Sequence, residues 1–185
     1  MHFLNLYRSL QLLLFASLAP CLQAAVASPL SGSWRIDPTQ STDLSPWKEY
    51  DLTILIAGKS ATVERRFANG RRVFEDKAAF PTTGKLVTLP FNYWPDNRHL
   101  GAAVSGGKKK RVSAHWVDDG RILRVTSDFV LSTQQGDRAL NVLSDYKVSI
   151  NGEELTLTEL RSTRDRPIVY VFKRVASSQT NQSAP

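Results

Sequence analysis

The sequence predicts an all-β protein, an antiparallel up-and-down meander of about ten strands closed into a barrel, and three observations carry that expectation. Apolar residues recur with period two along most of the chain, the spacing that puts alternate side chains on one face of a strand. The runs are separated by Asn-Gly, Asp-Gly and other turn-forming residues. No stretch has helical periodicity of useful length. A meander of this size closes or folds over to remove its edges.

The clearest part is 111–175, which reads as five consecutive strands. Their inward faces are Val112, Ala114 and Trp116; then Leu123, Val125, Ser127, Phe129 and Leu131; then Leu140, Val142, Ser144, Tyr146, Val148 and Ile150. Leu155, Leu157, Glu159 and Arg161 follow, and then Ile168, Tyr170, Phe172 and Arg174. The tight turns at Asp119-Gly120 and Asn151-Gly152 set a register with Trp116 opposite Leu123 and Val148 opposite Leu155. Looser turns at 134–137 and 163–167 put Ser127 opposite Ser144 and Glu159 opposite Tyr170. Ser127, Ser144, Glu159 and Tyr170 thus form a polar row on a face otherwise apolar. A buried carboxylate needs donors, so Glu159, with Arg161 two residues along, is the candidate polar anchor of a ligand site.

Before this block the strand pattern is shorter and more irregular: 32–36, 50–56, 61–67, 71–80 and 85–91. Segment 38–49 is rich in Ser, Thr and Pro and carries Trp47, and segment 92–107 carries Tyr93, Trp94 and His99. Counting strand directions brings these two long loops, with 132–138 and 163–166, to one end. The tight turns at Gly58, 81–84, 119–120 and 151–152 fall at the other. Trp47, Tyr93, Trp94 and His99 are therefore candidate lid residues at the open end, or a plug within it.

Residues 1–27 have one early arginine, Arg8, an apolar run too short for a membrane span and small residues up to Ala27, the layout of a secretory signal. Cleavage is expected near Ala27, with Ala24 as an alternative. Cys21 follows Pro20 rather than the small residue that lipidation prefers, and removal of the signal removes the only thiol, so neither a disulfide nor a cysteine–metal site is expected. The expected organisation is a signal at 1–27, one β-barrel domain at 28–175 and a disordered tail at 176–185, in a periplasmic or secreted protein with no transmembrane span in its mature form.

The formal net charge is +7, or +6 once Arg8 is removed. The basic residues are dispersed over Arg65-Arg66, Arg71-Arg72, 108–111 and Arg161, Arg164 and Arg166. They suit a solvated surface or an anionic envelope surface, with nucleic acid not expected as a partner.

Reactive constellations are absent from the pattern. His99 and His115 lack a second histidine or cysteine at ligand spacing. Asp118-Asp119 and Glu153-Glu154 occupy turns, Gly101 to Gly107 lacks the phosphate-cradle spacing, and no nucleophile sits in an elbow. No metal and no cofactor are expected.

Gly32-Ser33-Trp34 in the first strand, the meander and Arg174 ending the last strand resemble the lipocalin and wider calycin pattern. Gly32 to Asp37 with Ser41, the 110–116 strand and Glu154-Leu155-Thr156-Leu157-Thr158 resemble, more closely, a poorly characterised group of exported bacterial lipocalin-like proteins. The resemblance implies a closed end at which Arg174 packs across Trp34, with Trp116 nearby. Two departures from ordinary lipocalins are the absence of a C-terminal helix and a strand count nearer ten than eight.

Three functions follow as expectations. The first is a binding protein holding a small hydrophobic or amphipathic molecule, its cavity lined by Val125, Ser127, Phe129, Val142, Ser144, Tyr146, Leu157 and Tyr170, with Glu159 and Arg161 as anchors. The second is a solid-core protein whose basic loops bind an envelope glycan, lipid headgroup or protein. The third, an enzyme acting through Glu159, Tyr170 and a serine, ranks last. Interior volume discriminates, because ligand sites commonly occupy about 300–1,000 Å³.

Overall fold

The computed structural model describes residues 28–96 and 101–176. They form β1 (Gly32–Ile36), β2 (Glu49–Ala57), β3 (Ser60–Asn69), β4 (Arg72–Pro81), β5 (Val87–Pro90), β6 (Tyr93–Trp94), β7 (Ala102–Ser105), β8 (Lys109–Val117), β9 (Ile122–Thr133), β10 (Gly136–Val148), β11 (Glu154–Arg161) and β12 (Ile168–Val175). All pairings are antiparallel, and the first strand lies between β2 and β12, so the sheet curls until its two ends meet. The expected ten strands appear as twelve segments because segment 92–107, read from sequence as a loop, contains β6 and β7. Gly106, Gly107 and Lys108, all at positive φ, break the strand between β7 and β8, and both pieces pair along β9.

The closure differs from expectation in one respect. Among the described residues the ladder is missing between β4 and β5. At the tight-turn end the chain leaving β4 is stitched to β8, where Thr83 pairs with His115 and the Gly84 amide donates to the Ala114 carbonyl. Beyond that stitch the seam is bridged by side chains, including a Phe74–Tyr93 ring contact at 5.8 Å.

Both tight turns set the expected register: Trp116 faces Leu123 and Val148 faces Leu155. At the two looser turns the pairing slides by two residues. Ser144 faces Val125 rather than Ser127, and Glu159 faces Ile168 rather than Tyr170. An even slip leaves every side chain on its own face, so the inward set survives while its neighbours change, except for Ile150, which lies beyond the end of β10 and is exposed. The polar row is correspondingly sheared: Ser144 stays opposite Glu159, Ser127 moves opposite Val142, and Tyr170 moves opposite Leu157.

At the tight-turn end Arg174 pairs with Trp34 across β12 and β1, and its guanidinium lies 4.0 Å from the indole centroid. It donates to the carbonyls of Gly152, Ser31 and Pro29 at 2.7, 3.0 and 2.7 Å. Gly32 explains the Gly-x-Trp spacing: its φ is +143°, and a Cβ there would sit 2.5 Å from Arg174 Nη1. Trp34 is buried and donates Nε1–H to Leu30 O at 3.1 Å. Trp116 is half-buried against the same core. Ser41 also has a structural task, because its hydroxyl accepts the Val171 amide and fixes the chain after β1 along β12.

The main core runs through the barrel from Trp34 and Phe172 to Tyr50, Val112 and Tyr146. A second, smaller cluster of Phe91, Trp94, Val104, Phe129, Leu131, Leu140 and Val142 fills the open end. Among the described residues no helix is long and apolar enough to cross a membrane.

Candidate functional site

Two sets of buried charges occupy the interior. The first lies on β11, where period two brings Glu159 and Arg161 inward together. Their side chains are 3% and 6% exposed, and Arg161 donates from Nε and Nη2 to Glu159 Oε2 at 3.0 and 2.7 Å. Burial pulls the Arg161 guanidinium down, but the Glu159 carboxylate outweighs it and holds Arg161 above its ordinary value. Burial, and then Glu159, push the Tyr170 hydroxyl well up, so it stays protonated.

The second set joins three strands. Arg65 on β3 and Asp76 on β4 are cross-strand partners, and Lys110 on β8 reaches the same carboxylate over the unladdered seam. Arg65 Nη2 and Lys110 Nζ both donate to Asp76 Oδ2, at 2.5 and 3.1 Å, and the three side chains are 10%, 5% and 11% exposed for Arg65, Lys110 and Asp76. Lys110 Nζ also lies 4.2 Å from the Phe91 ring centroid. Burial, and then repulsion from Arg65, bring the Lys110 ammonium down to about 8, with Asp76 only partly compensating. Burial raises the Asp76 carboxyl, but Arg65 and Lys110 overcome that and hold it below its usual range.

Trp94 links the two sets, its ring centroid lying 5.5 Å from the Arg65 guanidinium and 5.0 Å from that of Arg161. It is buried, as is Trp47, which packs against Phe67 at 5.7 Å between ring centroids. Of the candidate lid residues these two are therefore plugs rather than covers. Tyr93 is exposed at the rim, and Gly101 leaves the space its ring occupies. His99 lies outside the described residues.

Val125, Ser127, Phe129, Val142, Ser144 and Tyr146 line one internal cavity with Arg65, Asp76, Lys110 and Trp94. Leu157 and Tyr170 lie deeper, in the main core. Arg161 borders, with Trp94 and Asp96, an open cleft at the barrel mouth. The cavity measures only about 30 Å³, far below the range of about 300–1,000 Å³ that ligand sites commonly occupy. Among the described residues the barrel interior holds no several-hundred-Å³ void of the kind that would mark an open ligand chamber; side chains, Phe91 and Trp94 foremost, fill the space.

Arg65, Asp76, Lys110 and Phe91 went unrecognised in the sequence as site residues. The signal was period two again: Arg65 is in phase with Val63 and Phe67, Asp76 with Phe74 and Ala78, and Lys110 with Val112 and Ala114.

No family model and no curated protein matches the chain. Among solved structures, a Schistosoma mansoni fatty acid binding protein in complex with arachidonic acid is similar at a TM-score of 0.50 and 11% identity, over 81% of this chain and 98% of that one. Secretory abundant heat soluble protein 4 from Ramazzottius varieornatus follows at 0.49 and 12%, over 80% and 96%. Human cRBP IV stands at 0.42 and 18%, over 79% and 98%. At such identities likeness speaks for the fold alone, and only the first has the TM-score to carry that argument: this chain shares the all-β fold of that neighbour, an antiparallel sheet curled into a barrel.

Proposed function

We propose that the protein is an exported binding barrel for a small amphipathic molecule, which enters at the open end by displacing Trp94 and Phe91 and sets its polar end against Glu159 and Arg161. The observation that carries this reading is Trp94 itself. An aromatic side chain from a two-residue strand fills the barrel between two buried guanidinium groups, the place an external apolar group would take. Buried charges in a barrel whose only task is stability are a poor investment, because apolar residues of similar volume are often as stable or more so. The fold likeness is consistent with this reading, since the Schistosoma mansoni neighbour holds arachidonic acid.

A second reading, a solid barrel that presents basic loops to an anionic envelope partner, is favoured by the small size of the cavity. One set of measurements separates the two. Native protein is extracted and analysed by mass spectrometry, and a fluorescent fatty acid is titrated into wild type and Trp94→Ala. Ligand binding predicts co-extracted lipid-like molecules and tighter probe binding in the variant, where the plug is gone. No saturable binding by either form refutes it and leaves the solid barrel. The intact mass from the same preparation tests export, with Ser28 expected as the mature N-terminus.

A further inference from the structure

We propose that the cavity beside Arg65 and Lys110 is a binding site for a small monovalent anion of chloride or formate size. The inference does not rest on the Glu159–Arg161 anchor of the amphipathic ligand but on Arg65, Asp76 and Lys110, although Trp94 and the cavity wall are common to both. The charged side chains that line this cavity among the described residues are Arg65, Asp76 and Lys110. Both cations spend their contact on one oxygen, Asp76 Oδ2, so two positive charges meet one negative charge where all three side chains are at most 11% exposed.

The other buried charges do not correct the imbalance. Glu159 is engaged by Arg161, and that pair does not line the cavity. Asp96 lies toward the mouth, where its charge acts on Arg161. A buried excess charge is costly unless a counter-charge or loss of a proton removes it. Burial, and then repulsion from Arg65, depress the Lys110 ammonium, as expected where two cations share one carboxylate oxygen.

The cavity supplies the remaining requirements. At about 30 Å³ it exceeds the roughly 10–15 Å³ that one water needs, which suits a monatomic anion or one of three heavy atoms better than sulfate or phosphate. Ser127, Ser144 and Tyr146 line its wall and carry hydroxyls that can donate to an anion. The Tyr146 hydroxyl is held protonated, pushed up by burial to about 12. An anion there balances the lining charges and draws the Lys110 ammonium back up.

The test uses protein stripped of bound lipid, melted at constant ionic strength while sodium gluconate is replaced by sodium chloride, bromide, formate, sulfate or octanoate. Chloride, bromide and formate are expected to give a saturable rise in melting temperature of roughly 4 °C at tenfold excess over the dissociation constant, and sulfate none. Lys110→Met, which leaves the Arg65–Asp76 pair balanced, is expected to lose the response. Equal melting in chloride and gluconate, a response to octanoate alone, or an undiminished response in Lys110→Met overturns the proposal. Should that variant fail to fold, a bromide-soaked crystal of the wild type decides: anomalous density between Arg65 and Lys110 supports the site, and an empty cavity at saturating bromide overturns it.

Discussion

Replacing Arg174 by alanine removes a guanidinium stacked on Trp34 and three hydrogen bonds to the carbonyls of Pro29, Ser31 and Gly152. The stack contributes about 1 kcal/mol at a half-exposed site. Hydrogen bonds from a charged donor contribute about 1.5–3 kcal/mol each when buried. Arg174 is half-buried and the freed carbonyls can turn to water, so the three together amount to about 2 kcal/mol rather than their sum. Arg174→Ala is therefore expected to cost about 3 kcal/mol. Gly32→Ala acts partly on the same group, because its Cβ would meet Nη1 at 2.5 Å from a backbone at positive φ; it is expected to cost about 2 kcal/mol. The two losses overlap, so the double variant should fall short of additivity by about 1 kcal/mol. Equilibrium urea unfolding followed by circular dichroism measures all three. A loss below about 0.5 kcal/mol for Arg174→Ala, or strict additivity, would refute the idea that this end is held by one shared guanidinium.

Two further outcomes concern the interior. Glu159→Gln keeps an acceptor for Arg161 but removes its counter-charge, so it is expected to destabilise the fold by about 3 kcal/mol without abolishing it and to weaken binding of the fluorescent fatty acid; unchanged binding would remove Glu159 from the site. The pH profile of stability is set by Lys110 and the buried tyrosines. Because the Lys110 ammonium falls to about 8 in the folded protein against an ordinary 10.5, the unfolded chain binds more protons between those values and stability rises with pH there. Tyr146, pushed up to about 12 from 10.0, reverses the slope at higher pH. Denaturant titrations from pH 7 to 11.5 should show a rise from about pH 8 to 10 and then a decline, and Lys110→Met should flatten the rise; a flat wild-type profile would contradict the burial of Lys110.

How far the fold was legible depended on the kind of turn. Asp119-Gly120 and Asn151-Gly152 confine the chain to few backbone conformations, and the pairings read across them are the ones observed. The turns at 134–137 and 163–167 permit several loop geometries, and there the pairing slid by two residues. Alternation depends on parity, so the slip left Glu159 and Arg161 inside. Arg65, Asp76 and Lys110 carried the same in-phase signal as Glu159, but on strands whose charged outward faces, such as Arg66, Glu75 and Lys77, masked it. Whether the interior is hollow was not legible at all, because period two assigns a side chain to a face and says nothing about how Phe91 and Trp94 pack.

A cylinder laced by main-chain hydrogen bonds around its whole girth can widen only by tearing a ladder, which is cooperative and costly. The seam between β4 and β5 changes that mechanics. Beyond the Thr83–His115 stitch the wall there is closed, among the described residues, by the Lys110–Asp76 ion pair and the Phe74–Tyr93 ring contact, and parting them leaves every strand ladder intact. The girth of this barrel is thus governed by a few side chains, and its stiffness becomes an electrostatic quantity that proton concentration can tune, while the closed end under Arg174 stays rigid.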